Sequence, residues 1–184
     1  MNPDALINQA REHYLDQFRA FVVLQSLACS TGSAEVKFRL SDESEVYQHL
    51  YCADFVKNDG EPELVELIPD SVLEFDEISG AFGETALTIK HLQWDDIVVH
   101  HDAPEPVQAL TDWFEKWFDP QDNRQIGGGA KGNVIHSLLV KPGTLNIDLG
   151  SAESEALWEM LDLLEASGAK SIRIAASRKD VSGL

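Results

Sequence analysis

Residues 134–175 change hydrophobic period twice, and no other stretch constrains the fold as much. Two β-like runs, residues 134–140 and 144–149, flank the turn sequence Lys141-Pro142-Gly143 and read as a hairpin. Residues 153–167 then repeat at three and four, with Leu157, Met160, Leu161 and Leu164 on one stripe, and Gly168 supplies a helix stop. Residues 171–175 return to a strand pattern. A β-β-α-β order needs a sheet and a helix packed on it, so neither an all-helical bundle nor an all-β sandwich accommodates this chain.

The N-terminal half extends the same logic. Residues 4–29 form a long amphipathic pattern, with Leu6, Ile7, Ala10, Tyr14, Phe18, Phe21, Val22 and Leu24 on the apolar side and Gly32 as its end. Ala34, Val36, Phe38 and Leu40 then alternate with Glu35, Lys37 and Arg39, the period of a half-buried strand. Residues 45–56 carry both periods, and helix is the favoured reading. Leu73 and Phe75 alternate with Glu74 and Asp76, and Leu87 and Ile89 follow the Gly80–Gly83 turn, which predicts a meander whose outer face is acidic. Residues 97–99 are β-like, and residues 106–118 form an aromatic helix with Leu110, Trp113, Phe114 and Trp117 on one stripe and Pro120 after it. The expected architecture is α+β: a mixed, mostly antiparallel sheet packed on one face by the N-terminal, Trp-rich and C-terminal helices. Residues 1–184 are read as one domain, with the glycine-rich stretch 121–133 as the place where two lobes would join.

Charge narrows the function classes. The net charge is −18, and from residue 58 to residue 89 there is no Lys or Arg against nine acids. Nucleic-acid binding needs clustered cations, and attraction to anionic membranes needs polybasic stretches, so direct contact with either is not expected. No apolar run approaches the ~20 residues of a spanning helix, and the start of the chain lacks the basic and apolar regions of a signal peptide. Cys29 and Cys52 are not in a C-x-x-C spacing and read as two buried thiols, which suits the cytoplasm.

Motifs for chemistry fail on context. Gly127, Gly129 and Gly132 spell G-x-G-x-x-G, but a polar stretch precedes them and a β-like run follows, the reverse of a dinucleotide site. His91 and His100 would face one another across a hairpin turning at Asp95-Asp96, yet a third ligand is missing, because His101 points to the opposite strand face. No nucleophile has a recognisable neighbourhood. Neither cofactor nor metal is therefore expected, and an enzyme is the less favoured class.

What remains is the acidic stretch. The favoured reading is a non-enzymatic module that presents an acidic β face to a basic protein surface, in the charge logic of an immunity-type inhibitor or a DNA mimic. Glu66, Glu74, Asp76 and Glu77 would form that face, and Phe118, off the main aromatic stripe and beside Asp119-Pro120, would be a partly exposed anchor. Two alternatives stand beside it: a metal-dependent hydrolase using His91 and His100, and a structural subunit that homodimerises through the aromatic helix.

Overall fold

The computed structural model describes residues 2–104, 107–123 and 132–177. In chain order the elements are α1 (Pro3–Ala28), β1 (Ser33–Arg39), a single 3-10 turn (Tyr47–His49), β2 (Leu50–Lys57), β3 (Glu63–Val65), β4 (Ile78–Phe82), β5 (Thr85–Ile89), β6 (Ile97–His101), α2 (Val107–Phe118), β7 (Ser137–Lys141), β8 (Thr144–Asp148), α3 (Ser154–Ala166) and β9 (Ser171–Ala176). The fold is α+β, with mixed, mostly antiparallel sheets packed against helices. A three-stranded sheet has the order β1-β2-β3, and a six-stranded sheet the order β4-β5-β9-β6-β8-β7. The strands thus form two sheets where one was expected. Among the described residues, only β5 and β9 pair parallel.

The helices start and stop for local reasons. Asn2 caps α1 by accepting a hydrogen bond from the Asp4 amide (3.1 Å), with Pro3 in the first turn. The α1 stripe from Leu6 to Phe18 is buried, whereas Val23, Leu24 and Leu27 are exposed, so the helix outruns the core and Leu24 leaves the expected stripe. Gly168 takes φ +92 just beyond α3, the left-handed conformation that closes many helices. The α3 helix touches both α1 and α2. Buried side chains from α1, α2, α3 and both sheets make one cluster, with Trp94, Phe18, Phe114, Phe118, Leu6 and Ile7 among its largest members.

Residues 45–56 are not a helix. Val46 makes an isolated bridge, Tyr47–His49 form the 3-10 turn, and residues 50–56 belong to β2, whose run from Cys52 to Val56 is buried beneath contacts with α1 and β7. The β2 strand also ties the two sheets together. The Cys52 amide donates to the His136 carbonyl (2.8 Å), and Val46 bridges to Leu139 on β7. The β9 strand, close in sequence to the β7–β8 hairpin, lies instead between β5 and β6. Of the proposed 121–133 lobe junction, residues 124–131 lie outside the described residues, as do Gly127 and Gly129 of the glycine motif. No helix among the described residues is long and apolar enough to cross a membrane.

Candidate functional site

Between Val65 and Ile78 the chain is an extended strap rather than a strand. Hydrogen bonds to α1 hold it down: the Gln17 side-chain Oε1 accepts from the Asp70 amide (2.9 Å), and its Nε2 donates to the Ser71 carbonyl (3.2 Å). Beyond this tether the expected alternation holds. Leu73 and Phe75 are half-buried against the core, and Glu74, Asp76 and Glu77 are exposed. The acidic face therefore stands on a strap, not on a sheet, because residues 66–77 pair with no strand among the described residues. An open cleft of about 460 Å³ runs alongside, with Val72 to Asp76 on one wall and His91 and Leu92 on the other. Among the described residues no cation pairs with Glu74, Asp76 or Glu77.

Glu66 differs from its acidic neighbours. Its carboxylate is 3.5 Å from the Asp54 amide and hydrogen-bonded to Tyr51, so it turns back toward the three-stranded sheet. Burial, with the nearby Asp54, holds its pKa above the usual carboxylate value even though the Tyr51 hydrogen bond opposes that rise.

Phe118 is fully buried, not a partly exposed anchor. It stacks on Phe114 at 5.1 Å between ring centroids, and the Lys37 ammonium sits 5.6 Å from its ring. The Lys37 side chain also donates to the Asp119 carbonyl at 2.5 Å, so β1 lies over the end of α2 and covers the ring. Trp113 and Trp117 are buried as well, their indole nitrogens donating to the Ala156 carbonyl and the Glu159 carboxylate. The aromatic side chains of α2 from Trp113 to Phe118 are thus taken up by the chain's own core.

His91 and His100 do not converge. The expected hairpin between them is absent, because β9 inserts between β5 and β6, with Ile89 level with Ile174 and His100 level with Arg173. His91 lies on the exposed segment after β5 and His100 on β6, where burial and then Arg173 lower its pKa. Among the described residues no group of three or more His, Cys, Asp and Glu side chains is disposed to hold a metal ion.

Sequence reading missed the most unusual polar group in the molecule. His136, fully buried, lies between two carboxylates that face each other across β1 and β2: Glu35 Oε1 is 3.0 Å from Nε2, and Asp54 Oδ1 is 3.0 Å from Nδ1. Glu35 also accepts from the Gly132 amide (2.5 Å) and from the Ser151 hydroxyl. Asp148 lies 3.9 Å from Nδ1 and keeps 24 % of its side-chain exposure. The backbone is shaped around this group. Glu35 takes φ +50 within a strand, and Gly150 takes φ +48 where a Cβ would stand 2.1 Å from the imidazole.

The electrostatics follow from the packing. Burial lowers the His136 pKa, but Cys52, Asp148, Asp54 and Glu35 together raise it well above 6.5. Since burial pushes the Cys52 thiol up to about 12, it is neutral at ordinary pH, and the carboxylates hold the imidazolium in place. Burial also raises Glu35 and Asp54, yet His136 and the amide donors outweigh it and both end below their usual values. Asp148 is pushed up to about 7, mainly by burial, against the pull of His136. Tyr14, buried against the same carboxylates, is raised far above 10 and stays protonated.

This arrangement ties β1, β2 and the segment just before β7 together through a buried group of charges. Ser151 donates to Glu35 and not to the imidazole, so a nucleophile-base pair is not formed, and His136 has no exposed atom to meet a ligand. The signal that would have found it is a lone charge inside an apolar strand run, Asp54 in YCADFV and His136 in VIHSLL, since such groups stay buried only when paired. Neither a family model, nor a curated protein, nor a solved structure matches this chain.

Proposed function

We propose that the chain is a non-enzymatic, cytoplasmic protein-binding module that receives a basic partner on its acidic strap, in the manner of an immunity-type inhibitor or a DNA mimic. The observation that carries this reading is the cleft beside the strap. Its wall combines exposed Glu74 and Asp76 with half-buried Leu73 and Phe75, which suits Lys or Arg side chains, whose apolar stems pack while their heads pair with carboxylates. The charge of the whole chain adds long-range attraction for such a surface. Both cysteines are free and buried, which suits a reducing compartment. The recognition residues are Glu66, Glu74, Asp76 and Glu77, of which Glu66 is exposed yet also hydrogen-bonded to Tyr51.

The test is a sign reversal. With the partner captured from native extract, Glu74→Lys combined with Asp76→Lys leaves the fold intact, slows association and flattens its salt dependence, because exposed charges act mainly on encounter. An unchanged association rate and salt slope would rule the reading out.

A further inference from the structure

The β4–β5 hairpin closes the outer end of the six-stranded sheet, and β4 is its last strand. Gly83 takes φ +56 at the first position of the two-residue turn Gly83-Glu84, a type II′ geometry that makes Phe82 and Thr85 a hydrogen-bonded pair. Pairing then alternates along the ladder. Gly80 with Leu87 and Ile78 with Ile89 are bonded pairs, whereas Ala81 with Ala86 and Ser79 with Thr88 are not. The N–H and C=O groups of Ser79 and Ala81 therefore point away from β5, out of the sheet. The short hydroxyl contact between Ser79 and Thr88 (3.2 Å) agrees with the closer side-chain approach of a non-bonded pair.

Natural sheet edges are blunted by Lys, Pro, bulges or a covering element. This edge has none of these among the described residues. Its sequence is ISGAF, its register with β5 is unbroken, and Ser79, Gly80 and Ala81 are exposed. Ile78 and Phe82 turn inward, Phe82 stacking on Trp158, so the strand is held firmly from beneath. Carboxylates flank both ends, Asp76 and Glu77 before the strand and Glu84 in the turn. A second copy of a −18 chain would meet like charges here, while an extended basic segment would meet opposite ones.

We propose that the free edge of β4 takes up an extended basic segment of the partner protein as an added strand, main-chain hydrogen bonds forming at Ser79 and Ala81 while the flanking acids select for cations. The proposal rests on the basic-partner reading above and adds the mode of engagement. The cleft beside the strap and this edge are consecutive along the chain, so a segment leaving the edge toward Asp76 reaches Glu74 next.

The probe is a fluorescein-labelled peptide of alternating lysine and valine, compared with a version N-methylated throughout and with an alternating glutamate and valine peptide. Binding is read by fluorescence anisotropy, and amide exchange by NMR. The expected result is slowed exchange at the Ser79 and Ala81 amides with the lysine peptide, and roughly tenfold weaker binding both with the methylated peptide and with Ala81→Pro. Proline suits this position because the Ala81 N–H faces away from β5. If Ala81→Pro does not fold, the methylated peptide and the exchange pattern decide alone. The proposal is overturned if no peptide protects the edge, if binding is indifferent to methylation, if the glutamate peptide binds equally well, or if sedimentation shows the edge occupied by a second copy. Failure of the strap reading is separate, because it appears as indifference of the captured partner to Glu74→Lys with Asp76→Lys while edge protection by the lysine peptide persists.

Discussion

His136 is a charged side chain with no exposure, and its worth depends on both flanking carboxylates remaining ionised. Removing one member of a buried ion group strands the others, so His136→Ala is expected to cost ~3–5 kcal/mol in urea unfolding, with Glu35 and Asp54 then facing one another unscreened. The pH dependence has a fixed sign. His136 has a raised pKa, so its contribution is complete below its ordinary value of 6.5 and fades as pH climbs toward the higher native value. Glu35 and Asp54 are lowered, so theirs is complete above their ordinary 4.5 and 3.8 and fades as pH falls through the native values. The stability difference between the wild type and His136→Ala should therefore be largest between pH 4.5 and 6.5 and shrink on either side, which denaturation at a series of pH values would check. Gly150→Ala tests the packing of the same group. The φ of +48 and a Cβ 2.1 Å from the imidazole predict a loss above ~2 kcal/mol, and a silent substitution would mean that the ring can move aside.

At the scale of elements, the apolar stripe of α2, from Leu110 to Phe118, is core while Asp112, Glu115 and Lys116 face outward. Phe118→Ala and Trp113→Ala are each expected to cost ~3–5 kcal/mol in thermal or urea unfolding, since both rings are buried and Trp113 also donates to the α3 backbone. A loss below ~1 kcal/mol at Phe118 would restore it as a surface anchor. Elements with one clear period were legible in the sequence: α1, β1, α2, the β7–β8 hairpin, α3 and β9 all stand within a few residues of their expected places. Residues 45–56 carried two periods, and the decision fell to β2 because the strand is enclosed between β1 and β3, which no local pattern reveals. The His91–His100 hairpin failed for a related reason. Sequence neighbours do not pair there, because β9, some seventy positions later, fills the gap between β5 and β6. On β1 two polar side chains turn inward to distant groups, Glu35 to His136, 101 residues on, and Lys37 to the Asp119 carbonyl, 82 residues on, partners that local alternation does not reveal.

For the whole molecule, salt should act with opposite signs on folding and on recognition. The chain carries −18, and the acids from Asp59 to Glu84 have no Lys or Arg among them in sequence, so self-repulsion in the compact state opposes folding. Screening that repulsion at about 0.15 M ionic strength, where charges beyond ~8 Å cease to feel one another, should raise the melting temperature relative to low salt. The inner clamp is little affected, because buried pairs such as Glu35 with His136 are screened far less than exposed ones. Recognition runs the other way. If a basic partner is steered by the strap, the same increase in salt lowers the association rate while leaving dissociation nearly unchanged. Melting curves and association rates measured across one salt series would expose this crossing. Glu74→Lys with Asp76→Lys changes the charge by four units, so it should raise stability at low salt and lower the association rate together. A variant that gained stability but bound at the original rate would leave the acidic strap as a solvated surface, with recognition residing elsewhere.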